Sequence, residues 1–116
     1  MTLSAFRAYC LSKKGATEEF PFDENTAVYK VMDKMFALAD VHLFDSINLK
    51  CDPDKALVLR EQYEQVQPGY HMNKKHWNTI LVDGVLPESL LRQWIDDSYA
   101  LVVEGLPLKF RVRLER

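Results

Sequence analysis

Thr26-Ala27-Val28-Tyr29-Lys30-Val31-Met32-Asp33-Lys34-Met35-Phe36-Ala37-Leu38-Ala39, followed shortly by Ser46-Ile47-Asn48-Leu49-Lys50-Cys51, is the stretch that decides the fold of this chain. Residues 26–32 and 35–39 are rich in Val, Tyr, Met and Phe, residue types that suit a pleated, half-buried surface. Asp33-Lys34 between them reads as a tight turn, so the two segments form a hairpin. In 46–51, Ile47, Leu49 and Cys51 alternate with Ser46, Asn48 and Lys50, which predicts a third strand with one buried and one wet face. Three adjacent strands favour an antiparallel sheet.

Helices flank this block. Residues 3–13 place Leu3, Phe6, Tyr9 and Cys10 on one apolar face, with Thr2 or Ser4 to cap the start and Gly15 to end it. The residues from Glu18 to Glu24 read as an acidic loop. Downstream, Asp52-Pro53 opens a second helix with a capping carboxylate and a proline at its first turn; Ala56, Leu59 and Tyr63 form its inward stripe, and it ends near Gln65. A fourth strand is expected over 77–82. A third helix over 87–104 carries Leu91, Trp94, Ile95, Ser98, Leu101 and Val102 on one side and stops at Gly105 and Pro107. From Leu108 to Arg116, apolar and charged residues alternate, which argues for an amphipathic edge strand; a short helical end is the competing reading. The expected fold class is α+β: a single domain over 1–116, a two-layer sandwich of an antiparallel sheet with helices packed on one face.

The 116 residues are enough to bury a core without staples. The formal net charge of −2 is low for a dedicated nucleic-acid binder, but the charge is uneven: residues 107–116 hold Lys109, Arg111, Arg113 and Arg116 against Glu115 alone. No signal-like apolar segment opens the chain and no apolar run approaches membrane-spanning length, so a cytoplasmic, membrane-free protein is expected. Cys10 and Cys51 are read as reduced thiols rather than a disulfide.

Gly69-Tyr70-His71-Met72-Asn73-Lys74-Lys75-His76-Trp77-Asn78 concentrates cations, amides and aromatic rings just before the fourth strand. These are groups that hold phosphates and stack on bases. His71, Asn73, Lys74, Lys75 and His76 can contact a nucleic-acid backbone or base edges, as can Asn78. The alternative is a loop whose polar side chains bond the backbone and pin the chain as it enters the strand. Trp77 and Trp94 are read as core residues. Cys51 and His71 are the one conceivable nucleophile pair, and nothing in the sequence brings them together; His71 and His76 lack the further ligands of a metal site. No catalytic residue, metal or cofactor is expected.

The opening helix ending Lys13-Lys14-Gly15-Ala16, the Lys50-Cys51-Asp52-Pro53 junction and His71-Met72-Asn73-Lys74-Lys75-His76-Trp77, with Asp83-Gly84, Leu86-Pro87 and Leu106-Pro107, together resemble the MmcQ/YjbR family of small bacterial proteins over nearly the full chain. The resemblance implies a fold similar to the bacterial frataxin homologue CyaY. It also implies a DNA-binding role, because the family's hairpins are likened to a double-wing motif. The wings would be the hairpin at 26–39, with Lys30 and Lys34, and the region around 71–78; Lys109, Arg111 and Arg113 are added as tail contacts. A protein-interaction or adaptor module using the open sheet face or the terminal segment is the alternative. A monomer is expected.

Overall fold

A computed structural model describes all 116 residues. The chain runs α1 (Leu3–Leu11), β1 (Ala16–Glu19), β2 (Thr26–Val31), β3 (Lys34–Asp40), β4 (Ser46–Lys50), α2 (Pro53–Gln62), β5 (Val66–Pro68), β6 (Trp77–Leu81), α3 (Glu88–Glu104) and α4 (Leu108–Glu115). The strands form one antiparallel sheet in the order β1-β2-β3-β4-β6-β5. No helix is long and apolar enough to cross a membrane.

Period two along the strands sorts the side chains. Ala27, Tyr29 and Val31, with Ala37, Ala39, Ile47, Leu49 and Ile80, join Phe6, Cys10, Leu59, Leu91, Trp94, Ile95 and Val102 of the helices in the main core. The opposite face holds a smaller apolar cluster of Val28, Leu38 and Trp77, with Met35 and Met72 against it. Trp77 is therefore buried as expected, but on the face away from the helices.

Three expectations are corrected. The tail is a helix, not an edge strand. Leu108, Phe110, Val112 and Leu114 alternate, but residues four apart share a helical ridge. Phe110 and Leu114 are partly buried while Leu108 and Val112 stay exposed, and Leu114 lies against the main core. Part of the acidic loop is strand β1. Arg7 forks onto both Glu18 oxygens, Nε at 2.9 Å and Nη2 at 2.7 Å. The buried Tyr29 hydroxyl donates to Glu18 at 2.7 Å. A carboxylate held by a guanidinium fork and a hydroxyl belongs to a packed strand rather than a solvated loop. Finally, the hairpin turn falls one residue earlier, at Met32-Asp33. Met32 has φ 49° and Asp33 has φ 67°. Positive φ at both positions is what a two-residue turn matched to strand twist requires.

Between β3 and β4 the ladder ends at Ala37 and Leu49. There Ser98 of α3 inserts its hydroxyl, donating to the Phe36 carbonyl at 2.6 Å and accepting from Lys50 N–H at 2.9 Å. Phe36 is the extra residue where the β2–β3 register shifts. A fully buried serine thus satisfies the two backbone groups left over where the β3–β4 ladder stops.

Helices α1 and α3 are tied by Asp96, which accepts from the Tyr9 hydroxyl at 2.6 Å and pairs with Lys13. Burial raises the Asp96 carboxyl, but hydrogen bonds from Lys13 and Tyr9 outweigh it and leave the pKa below the ordinary value. Asp23 is lowered by the backbone N–H groups of Thr26 and Asn25. Both folded values lie below the unfolded ones, so their contribution is complete above about pH 4 and is lost as pH falls through the folded values. Thermal melts should therefore be flat from neutral pH to about pH 5 and decline below about pH 4, with Asp96→Asn shrinking that decline by about 2–5 °C. An Asp96→Asn profile identical to wild type would refute this role.

Candidate nucleic-acid interface

Register decides where the hairpin loops lie. Lys50 pairs with Trp77, Leu49 with Ala37 and Lys30 with Met35, so the β2–β3 turn and the β5–β6 loop emerge at the same end of the sheet. Only β4 separates the two hairpins. Two strand spacings put β3 and β6 about 10 Å apart.

The β5–β6 loop, residues 69–76, is held by its own backbone. Gly69 N–H donates to Trp77 O at 2.9 Å, and a Cβ on Gly69 would sit 2.8 Å from Trp77 Cβ and 2.9 Å from its carbonyl oxygen. Tyr70 N–H donates to Thr79 Oγ1 at 2.9 Å, and Met72 packs on the small cluster of the open face. Asn73 Oδ1 accepts from Lys75 N–H at 2.9 Å, while the Asn73 carbonyl accepts from Trp77 N–H at 2.9 Å. The loop is also clamped from behind. Arg60 of α2 donates Nε to Asn78 Oδ1 at 2.7 Å and Nη2 to the Trp77 carbonyl at 3.3 Å and to the Lys74 carbonyl.

The candidate contacts therefore separate. Lys34 and Lys75 are exposed and enter no ion pair. Lys74 turns its ammonium onto the Gly69 carbonyl at 3.0 Å, and Asn73 is occupied with Lys75 N–H, so both serve the loop's own shape. His76 is half-buried; His71 is exposed, sits at φ 58° and has its ring 4.0 Å from that of Tyr70. Lys30, on the open face, is paired with Glu19 at 3.4 Å. Lys109 and Arg113 flank the Phe110 ring on α4, with Arg111 on the same helix, and α4 is a separate element from both hairpins. Asn78 is buried beneath Arg60 and is not available to a base. Arg60 was not singled out in the sequence. The signal for it was Asn78 itself, a buried amide in an apolar strand that needs a partner.

The end of the sheet thus carries exposed Lys34 on one hairpin loop and exposed Lys75 with half-buried His76 on the other. The exposed carboxylates Asp33, in the β2–β3 turn, and Asp52, at the start of α2, belong to segments at the same end. The thiols stand apart. Burial raises Cys10 to about 12 and also raises Cys51, which disfavours the thiolate in both. Cys51 lines a small hollow beside α2, whereas His71 lines the groove on the open face.

A six-stranded antiparallel sheet with helices on one face, carrying two hairpins whose loops share an end, defines a small α+β protein of double-hairpin type. The chain belongs to the YjbR family, whose model matches residues 11–101. It is 38% identical over 108 residues to the YjbR protein of Escherichia coli K12, covering 92% of each chain. The crystal structure of Deinococcus radiodurans protein DR2400, of family-model domain DUF419, superposes with a TM-score of 0.91 at 37% identity, over 98% of this chain and 88% of that one. A crystal structure from Pseudomonas syringae gives a TM-score of 0.73 at 28% identity, over 87% of this chain and 98% of that one.

Proposed function

We propose that this protein is a non-catalytic DNA-binding module that holds the phosphate backbone between its two hairpin loops. One observation carries the reading: the strand register brings exposed, unpaired Lys34 and Lys75 to the same end of the sheet. Phosphate contacts position a protein without reading sequence, and two exposed lysines suit that role. Lys74, Asn73 and Arg60 hold the loop rather than touch the ligand. The tail cations lie on α4, a different element from both hairpins.

The test is fluorescence anisotropy with a labelled duplex at low salt. Binding should weaken with a slope of log affinity on log salt of about −2, one counterion set for each lysine. Lys34→Ala with Lys75→Ala should lower affinity by about tenfold and remove most of that slope. Absence of binding at low salt, or binding untouched by the double substitution, ends this reading.

A further inference from the structure

The open face of the sheet carries a groove of about 940 Å³ across β3, β4 and β6. Its apolar rim is Phe22, Leu43 and Tyr70, which are 64%, 73% and 70% exposed. Asp23, Asp40 and Asp45 line it as well. The basic groups on the lining are His71 and Lys74, and Lys74 is already bonded to the Gly69 carbonyl. The groove is therefore apolar at its edges and acidic in balance.

A second surface has the opposite character. The outward ridges of α4 present Leu108 and Val112, 70% and 41% exposed, beside Lys109 and Arg113, which are exposed too. Five of the ten large apolar residues left exposed lie on these two surfaces. Within one molecule they cannot meet. Leu114 anchors α4 beside Gly15 and Val31 on the helix side, whereas the groove lies on the other face of the sheet.

We infer that the groove receives α4 of a second copy of this chain. A helix with its side chains is about 10–12 Å across, comparable to the two strand spacings the groove spans. Lys109 and Arg113 would face Asp23, Asp40 and Asp45, while Leu108 and Val112 would meet Phe22, Leu43 and Tyr70, in the manner of an amphipathic helix in a groove. The contact is head-to-tail, so it builds a ring or a short open chain rather than a two-fold dimer. One short helix buries little area, so association is weak and concentration-dependent. This departs from the monomer expected from the sequence and gives the open sheet face a partner of defined chemistry.

Sedimentation velocity on the whole protein tests it. The weight-average mass should rise about twofold from dilute to concentrated solution. It should fall back at about 0.5 M salt, where the screening length is about 4 Å. Lys109→Glu/Arg113→Glu removes the helix partner, and Leu43→Arg/Asp45→Arg removes the groove partner. All four positions lie at the surface, and the Asp45 side chain caps no turn. Each variant alone should stay at monomer mass, yet an equimolar mixture should form a species of two chains, because each supplies what the other lacks. As a second readout, the isotope-labelled tail variant should shift its Phe22, Leu43 and Tyr70 amides when the unlabelled groove variant is added. A wild-type protein at monomer mass throughout, variants that still associate, or a mixture that does not, would overturn the inference and leave the groove to a foreign basic segment.

Discussion

Replacing Gly69 with alanine is expected to lower stability by about 2–4 kcal/mol, a fall of about 8–16 °C in melting temperature. The position tolerates no side chain. An added Cβ would lie 2.8 Å from Trp77 Cβ, 2.9 Å from Trp77 O and 3.0 Å from Met72 Cβ. Two of these are fixed by the sheet and the small cluster beneath it, not by flexible side-chain ends. Relief requires moving the start of the loop off β6, which lengthens the Gly69 N–H to Trp77 O bond and shifts Met72 from its seat on the Val28–Leu38 cluster. Thermal unfolding followed by circular dichroism measures the loss. A Gly69→Ala protein that melts within about 2 °C of wild type would show that the loop entry is loose.

Arg60→Met should cost a similar amount, about 2–4 kcal/mol, for a different reason. The guanidinium closes three acceptors at once: the Asn78 amide oxygen and the carbonyls of Trp77 and Lys74. Methionine keeps much of the stem's volume and leaves the buried Asn78 oxygen unpaired. An unpaired buried acceptor costs about 1–3 kcal/mol. Removing the acceptor as well, in Arg60→Met/Asn78→Leu, should recover about 1–2 kcal/mol, since an apolar pair in place of a polar one is near neutral. The double-mutant cycle is read from urea midpoints. Strict additivity of the two substitutions would mean that Arg60 and Asn78 do not work as a pair. Because Arg60 holds the backbone next to Lys75, Arg60→Met should also weaken duplex binding without having touched DNA.

The two hairpin strands, β4, the capped start of α2 and the long α3 are legible in the sequence because each has a strong period and clear stop signals. Asp52, for example, does cap α2, accepting from Lys55 N–H at 3.2 Å. Strand β1 is not legible, because Glu18 looks solvated until Arg7 and Tyr29, eleven residues away on either side, supply its partners. Strand β5 is only three residues long and ends in Pro68, below what a local pattern can resolve. The tail misleads because its alternation satisfies a strand, whereas the fold needs only Phe110 and Leu114 inward; the exposed Leu108 and Val112 are the visible residue of that conflict.

For the candidate site, composition points to the 69–78 loop but not to the role of each residue. Its cations look equivalent in sequence. Backbone geometry divides them into Lys75, which is free, Lys74, which braces Gly69, and Lys30 of the neighbouring hairpin, which is spent on Glu19. That division depends on register and on side-chain partners distant in sequence, which no local pattern encodes.

The most direct measurement is a titration of unlabelled duplex DNA into isotope-labelled protein, following every backbone amide by NMR. The largest shifts should fall at Asp33, Lys34, Asn73, Lys75 and His76, the two loops on either side of β4, and should fade as salt is raised. An unchanged spectrum, or shifts centred on α4 with both loops silent, would contradict a phosphate grip by the paired hairpins.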